Sequence, residues 1–468
     1  MNAYLVMTQM MTQTKMTSKS KEQRSFLFQK NQEIVLCAID MNHQGFGVAK
    51  VDGFVVFVKS LIIHEVALVK LVKVFKNYAY GIILELFESS EHRVQPVCSV
   101  YHQCGGCDLM HISADFQKEI KRSIIIEQFN RHKLTPDIVN PTLAMKEPFQ
   151  YRNKVSLPIT ITDGNVKIGF YRQHSHDIIE FDTCHVQSEL QNKIISYLKQ
   201  ILNQFPLPSL KHIILRESYK SKNIMVGFVV SQLHEPHLKT IVAQLTKQFS
   251  NIKSVMLNLN KEETNTIFGK QDEVLFGESI ILDESLGLTF KISLRSFYQV
   301  NSQMMNVLYK EALRLADIQP HETILDLYCG IGTIALLASQ HAKKVYGVEL
   351  NPQAIVDANE NALLNNINNI EFICGDVKDI IDTFSSDQSL IDTIIVDPPR
   401  SGLHDHVIEV LKKSMVSKIV YVSCNPLTLA TDCKKLSEVY DIESVQPVDM
   451  FGQTKHIESL IVLKYKYT

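Results

Sequence analysis

Residues 323–339 read TILDLYCGIGTIALLAS: an apolar, partly β-branched run, a turn with two glycines, then an Ala- and Leu-rich helical stretch. A strand that feeds a helix through a glycine turn has few ways to bury both faces. It demands parallel strands beside it and helices over it. The chain supplies them: from about residue 290 onward strand, turn and helix patterns repeat, the signature of a parallel doubly wound sheet. A length of 468 residues exceeds one ordinary core, so two to four domains are expected. No apolar stretch approaches the length needed to span a bilayer. The opening residues, MNAYLVMTQMMTQTKMTSKSKEQRS, are polar and Met-rich and lack an export signal. We expect a flexible tail over 1–27 in a cytoplasmic protein.

Residues 28–88 read as short strands separated by Gly turns, which suggests a small OB-type β-barrel. Lys50, Lys59, Lys70, Lys73 and Lys76 stud it, interleaved with Phe46, Phe54, Phe57 and Tyr78. Such a surface suits single-stranded RNA, with phosphates on lysines and bases on aromatic faces. A solvated barrel with core aromatics fits the same residues equally well. The net charge of −2 announces no nucleic-acid partner by itself. Residues 89–290 mix helical and strand patterns, a central α+β domain; the basic stretch 113–133 is helical in period. Residues 291–468 form the doubly wound domain.

Cys98, Cys104 and Cys107 follow a C-x5-C-x2-C spacing within PVCSVYHQCGGCDLMH. In a long chain without an export signal, metal binding or catalysis outranks a disulfide framework. The two glycines of CGGC let both sulfurs face one centre. Cys184 is the best-placed fourth thiol, with His185 beside it a weaker alternative. Four thiolates suit zinc or a [4Fe–4S] cluster. The spacing differs from the paired C-x2-C of a zinc ribbon, which favours iron–sulfur.

Gly330 and Gly332 allow close backbone approach to a nucleotide-like cofactor, and Glu349, closing the next strand, can accept from a ribose diol. GIGTIA also fits the dinucleotide fingerprint, so this stretch alone separates NAD poorly from S-adenosylmethionine. Asp326, within the first strand, Gly375–Asp376 after the third and Asp397-Pro398-Pro399 after the fourth tilt towards S-adenosylmethionine. Arg400 follows the prolines where exocyclic-amine methyltransferases carry a stacking aromatic, which argues against that chemistry. Cys424, in YVSCNPLTLATD, sits just past a strand end and before Asn425-Pro426. A lone cysteine is more often a small buried hydrophobe than a nucleophile; its neighbours decide.

CGGC, SFYQVN, DLYCGIGT, DPPRSGL, SCNP and HIESL together resemble the RNA uracil-C5 methyltransferases, the family of the bacterial tRNA and 23S rRNA m5U enzymes, from residue 30 to the end. The resemblance implies a TRAM barrel, a central domain and a Rossmann-like class I methyltransferase domain. It maps the cluster ligands to Cys98, Cys104, Cys107 and Cys184, the cofactor residues to Gln299, Tyr328, Glu349 and Asp397, the nucleophile to Cys424 and the base to Glu458. His456 remains a weaker alternative base. It implies S-adenosylmethionine and a [4Fe–4S] cluster as cofactors, RNA as partner and a monomer. Ribosomal 23S RNA is the first expectation for the substrate and tRNA the second. Two other readings are an inactive RNA-binding iron–sulfur protein, against which the intact SCNP and HIES argue, and an NAD-dependent reductase. In the barrel, where many relatives read Pro-Gly-Glu, this chain has Ile63-His64-Glu65.

Overall fold

A computed structural model describes residues 28–162, 165–385 and 391–467; the expected tail 1–27 lies outside them. The described parts of Met1–Pro96 and Asp108–Ile120 form one compact unit, those of Val97–Cys107 and Lys121–Thr468 a second.

The first unit is a curled six-stranded sheet. Its spatial order is Glu33–Cys37, Val66–Val74, Tyr78–Glu88, Phe54–Lys59, Phe46–Val51, Asp40–Met41. Adjacent strands are antiparallel except Phe54–Lys59 beside Tyr78–Glu88. Register shifts along Val66–Val74 bend the two longest strands, as bulges do. Leu36, Ala49, Val56, Val58, Val69 and Leu71 fill the core. The family resemblance predicted a TRAM barrel here, and the curled sheet has that OB-like form. The aromatics divide. Phe54 stacks on Phe28 at 4.7 Å, while Phe46, Phe57, Phe75, Tyr78 and Tyr80 form a chain of rings. Phe75 and Tyr80 were not singled out in the sequence. Lys73 Nζ lies 4.9 Å from the Phe75 ring centroid.

The turn at Ile63-His64-Glu65 forms without the relatives' glycine. His64 takes a left-handed φ of +69°. Glu65, fully buried, accepts from the Ile62 and Ser90 amides at 2.8 and 3.1 Å and from Arg93 Nε and Nη2, both at 2.6 Å. A two-pronged guanidinium and two amides satisfy the carboxylate, and that network outweighs the strain at His64.

The second unit carries two seven-stranded sheets and a hairpin, Ile280–Ser285 with Leu288–Ser293. The central sheet runs Gln271–Gly277, Ile252–Leu259, Ile224–Val230, Leu210–Glu217, Lys154–Thr162, Asn165–Tyr171, Ile178–Glu180. Side chains alternate along Leu210–Glu217. Ile213 and Leu215 pack under the amphipathic helices Glu189–Gln204 and Leu238–Gln248, while Ile214 joins Phe290, Leu294, Tyr298 and Met305 on the other face.

The last sheet has the order Ile370–Cys374, Lys344–Glu349, Thr323–Leu327, Thr393–Val396, Lys418–Ser423, Glu458–Tyr465, Tyr440–Val448. The first five strands are parallel; the last two are antiparallel to their neighbours. Helices cover both faces, which is why TIIV and KIVYVS read as unbroken apolar runs. The direction of winding reverses between Thr323–Leu327 and Thr393–Val396, and a crevice opens at the carboxyl ends there. This is the Rossmann-like methyltransferase fold the sequence predicted.

Arg93→Leu should strand the Glu65 carboxylate inside the barrel and cost about 3–5 kcal/mol of its stability. Hydrogen exchange of the barrel amides in urea checks this; unchanged protection of Val66–Val74 would show the pair to be dispensable.

Candidate active site

Strand Thr323–Leu327 ends in a tight reversal. Tyr328, Gly330 and Gly332 all take positive φ, of +67°, +57° and +82°. A Cβ on Gly332 would lie 2.7 Å from the Phe372 ring, so only glycine passes there. Tyr328 bears that backbone strain with a full side chain, as residues at functional sites often do. Glu349 braces the reversal: Oε2 accepts from the Gly330 amide at 3.2 Å and Oε1 from the Asn351 amide at 2.8 Å.

Cys424 stands between strand Lys418–Ser423 and helix Pro426–Leu436. Asn425 caps that helix, accepting from the Leu427 amide at 3.1 Å, and Pro426 occupies its first turn. Asn425 Nδ2 also donates to Arg400 O at 2.8 Å, which ties SCNP to DPPR. Strand Glu458–Tyr465 pairs antiparallel with Lys418–Ser423 in a register that sets Ser423 opposite Ser459. Cys424 follows Ser423 and Glu458 precedes Ser459, so the two stand at the same end of this strand pair.

One cavity of about 1400 Å³ is lined by all six predicted catalytic and cofactor residues: Gln299, Tyr328, Glu349, Asp397, Cys424 and Glu458. His456, Asp326, Asp376 and Arg400 line it too. Its floor is acidic. Burial holds Asp326 well above the usual carboxylate range, and neighbouring Asp397 adds to this; neither Asp326 oxygen has a conventional hydrogen-bond partner. Burial pushes Asp397 up to about 7. Glu458 is raised by burial and then by Asp397, against the pull of Arg400. Burial, Glu458 and Asp397 together push the Cys424 thiol up to about 11, again opposed by Arg400. The Cys424 thiol and the Glu458 carboxyl therefore act on each other within this cleft.

Three contributors carried no sequence signal. Tyr309, on helix Ser302–Ala316, is buried against Asp397 and hydrogen-bonded to Gln299. Arg400 had been noted only as a missing aromatic; its guanidinium acts on both Cys424 and Glu458. Asn153 holds Gln299 through its backbone carbonyl, 2.9 Å from Asn153 Nδ2. Each depends on contacts distant in sequence, which no local pattern reports.

The four predicted cluster cysteines also converge. Cys107 is raised by burial and then by the charges of Cys184, Cys104 and Cys98. Gly106 N–H donates to Cys104 Sγ at 3.3 Å, and the Gly105 amide donates to Tyr171 O at 3.0 Å. Arg152 lies beside them and favours the thiolates of Cys104, Cys107 and Cys184. Among the described residues, no three ligand side chains close up tightly enough to ring one metal ion. His185 points elsewhere, with its ring edge-on to Phe149.

Residues 141–466 match the tRNA (uracil-5-)-methyltransferase family, and 38–84 match the TRAM domain. An uncharacterized RNA methyltransferase of Oceanobacillus iheyensis is 40% identical over 449 residues, 93% of this chain and 97% of that protein. One from Halalkalibacterium halodurans is 40% identical over 448 residues, 93% and 98% of the two chains. The crystal structure of the Pyrococcus abyssi tRNA (uracil-54, C5)-methyltransferase with S-adenosyl-L-homocysteine superposes with a TM-score of 0.74 at 26% identity, covering 92% of this chain and 99% of that one.

Asp397 keeps its proton in the ligand-free fold up to about pH 7, whereas its unfolded form ionises near 3.8. The native state binds the extra proton, so stability falls as pH rises from about 4 to 7. Asp397→Asn should flatten that fall and melt above wild type at pH 8. Equal pH slopes for both proteins in calorimetry would contradict it.

Proposed function

The chain belongs to the tRNA (uracil-5-)-methyltransferase family, and on that premise we propose that it forms 5-methyluridine in RNA by covalent catalysis, with Cys424 as nucleophile and Glu458 as base. It is an S-adenosylmethionine-dependent RNA methyltransferase. The observation that supports the mechanism is that Cys424 and Glu458, at the same end of one strand pair, line a cleft shared with Gln299 and Asp397.

S-adenosylmethionine supplies a methyl group on a cationic sulfonium. Gln299, Tyr328, Glu349 and Asp397 would hold it, Glu349 taking the ribose hydroxyls. Carboxyls without a matching count of cations welcome that charge and would repel the pyrophosphate of NAD, which disfavours the reductase reading. A cation against this floor also favours the ionised forms of Asp397, Glu458 and Cys424. The Cys424 thiolate adds to C6 of uracil and makes C5 nucleophilic. C5 takes the methyl group, Glu458 removes the C5 proton, and the C6–S bond breaks to restore the double bond and the thiolate.

The substrate we assign is 23S rRNA, because a TRAM barrel and a cysteine quartet accompany that branch of the family. The likeness to the Pyrococcus abyssi enzyme favours tRNA as the second reading. The barrel's ring chain, with Lys73 over Phe75, supports base stacking on single-stranded RNA. Cys98, Cys104, Cys107 and Cys184 would hold a [4Fe–4S] cluster. Methyl transfer needs no electron from it, so its role is to fix the protein around RNA. Among the described residues no helix is long and apolar enough to cross a membrane, in keeping with work on RNA in the cytoplasm.

Cys424→Ala should abolish methylation and leave cofactor affinity within about twofold. Target RNA carrying 5-fluorouridine should trap the wild type covalently, because fluorine does not leave as a proton. Glu458→Gln should accumulate the methylated covalent species; if His456→Gln does so instead, the base is His456. Mass-spectrometric mapping of 5-methyluridine in 23S rRNA and tRNA, with and without the gene, decides the substrate.

Anaerobically purified protein should be brown, and Cys184→Ser should lose most of that colour. A colourless protein with one zinc per chain would replace the iron assignment.

A further inference from the structure

Four consecutive residues, Gln150–Asn153, connect three parts of the second unit. Gln150, held at a left-handed φ of +52°, donates its amide to His185 O at 2.9 Å. The Arg152 amide donates to Val186 O at 2.9 Å, and Arg152 bridges to Gln187 in register. The stretch is thus laced to the residues that immediately follow Cys184. Asn153 reaches Gln299, as described above. Between them, Tyr151 is 6% exposed and donates its hydroxyl to Gly452 O at 2.9 Å. It therefore links its two chain neighbours, which are bonded to residues 185 and 186, to the Gly452 carbonyl that it holds itself.

Those residues lead directly into Glu458. They are pinned at Asp449 by the buried Lys121 ammonium at 2.6 Å and at Met450 O by Asn301 Nδ2 at 2.8 Å. Gln453 then takes a φ of +70°, and Thr454 and His456 turn into the cleft. Tyr151 makes the last clamp before this bend. Gly452 packs closely on Pro148, where an added Cβ would lie 2.5 Å from Pro148 Cβ, so no side chain fits at this point.

We propose that Tyr151 is a positioning residue for Glu458: its hydroxyl, anchored through the 150–152 ladder to the segment after Cys184, fixes Gly452 and so the angle at which Glu458 enters the cleft. The proposal rests on Glu458 being the base. It gives the cysteine site a mechanical task in the proton-removal step, with no electron transfer.

Tyr151→Phe removes one oxygen and keeps the ring. It should lengthen the lifetime of the methylated covalent RNA–enzyme species about tenfold, the worth of one buried hydrogen bond. KM for S-adenosylmethionine, the rate of trapping by 5-fluorouridine RNA and the melting temperature should stay near wild type. A 3-fluorotyrosine at 151, the same shape and a stronger donor, should restore the wild-type lifetime. An unchanged lifetime in Tyr151→Phe overturns the proposal, as does a joint fall of trapping, cofactor affinity and melting temperature, which marks a general structural role. The link to the cysteine site is read from a double variant with Cys184→Ser. Lifetimes that fail to multiply support the link, and independent multiplication refutes it. If wild type is not trapped by 5-fluorouridine RNA, the covalent mechanism itself fails; trapping of both proteins with equal lifetimes of the methylated species on uridine RNA fails only the role of Tyr151.

Discussion

Strand Glu458–Tyr465 runs antiparallel between Lys418–Ser423 and Tyr440–Val448, and the catalytic geometry depends on that insertion. A sheet that stayed parallel would bring only carboxyl ends to the crevice. The reversed strand brings an amino end there, so its first residue, Glu458, stands beside Cys424, the residue just past a carboxyl end. Register is strict because both faces are buried: a slip of one residue would exchange Leu460 of one core layer with Ile461 of the other. Glu458 is therefore held at the head of a strand that is buried from Glu458 to Leu463.

Packing also sets the electrostatics. Asp326 on the strand, Asp397 at the next strand's end and Glu458 on the reversed strand are drawn together by sheet order, and the Arg400 guanidinium acts on Glu458 and Cys424. Left empty, such a floor is uneasy, with carboxyls that retain protons and a thiol far from ionised. A positive charge set against it would favour the ionised carboxyls and thiol.

The barrel shows how a departure from a family pattern is absorbed. His64 occupies a left-handed position suited to glycine, yet the turn closes because Glu65 finds Arg93 and two amides in a dry setting. A strained residue persists where its surroundings over-determine it. Tyr328 and Gln150 are held by the same logic, one under the cofactor cleft and the other at the joint behind the cysteines.

The sequence by itself determined the local pieces: the strand–turn–helix at 323–339, the strand end before Cys424, the C-x5-C-x2-C spacing and the helical period of 113–133, found as Ala114–Arg131. Short-range physics writes these, because glycine tolerance, proline placement and hydrophobic period act within a few residues. The roles of Gln299 and Glu458 were legible only through family resemblance, since neither stands in a pattern that chemistry alone would single out. Tertiary structure decided the rest. It alone brought Cys424 and Glu458 into one cleft with Asp326 and Asp397, set Arg400 beside that pair, buried Tyr309 against Gln299 and tied Tyr151 to Gly452. Those contacts join residues up to some three hundred positions apart, such as Tyr151 and Gly452. Long-range pairs of this kind are fixed by sheet order and core packing, and leave no periodic trace along the chain.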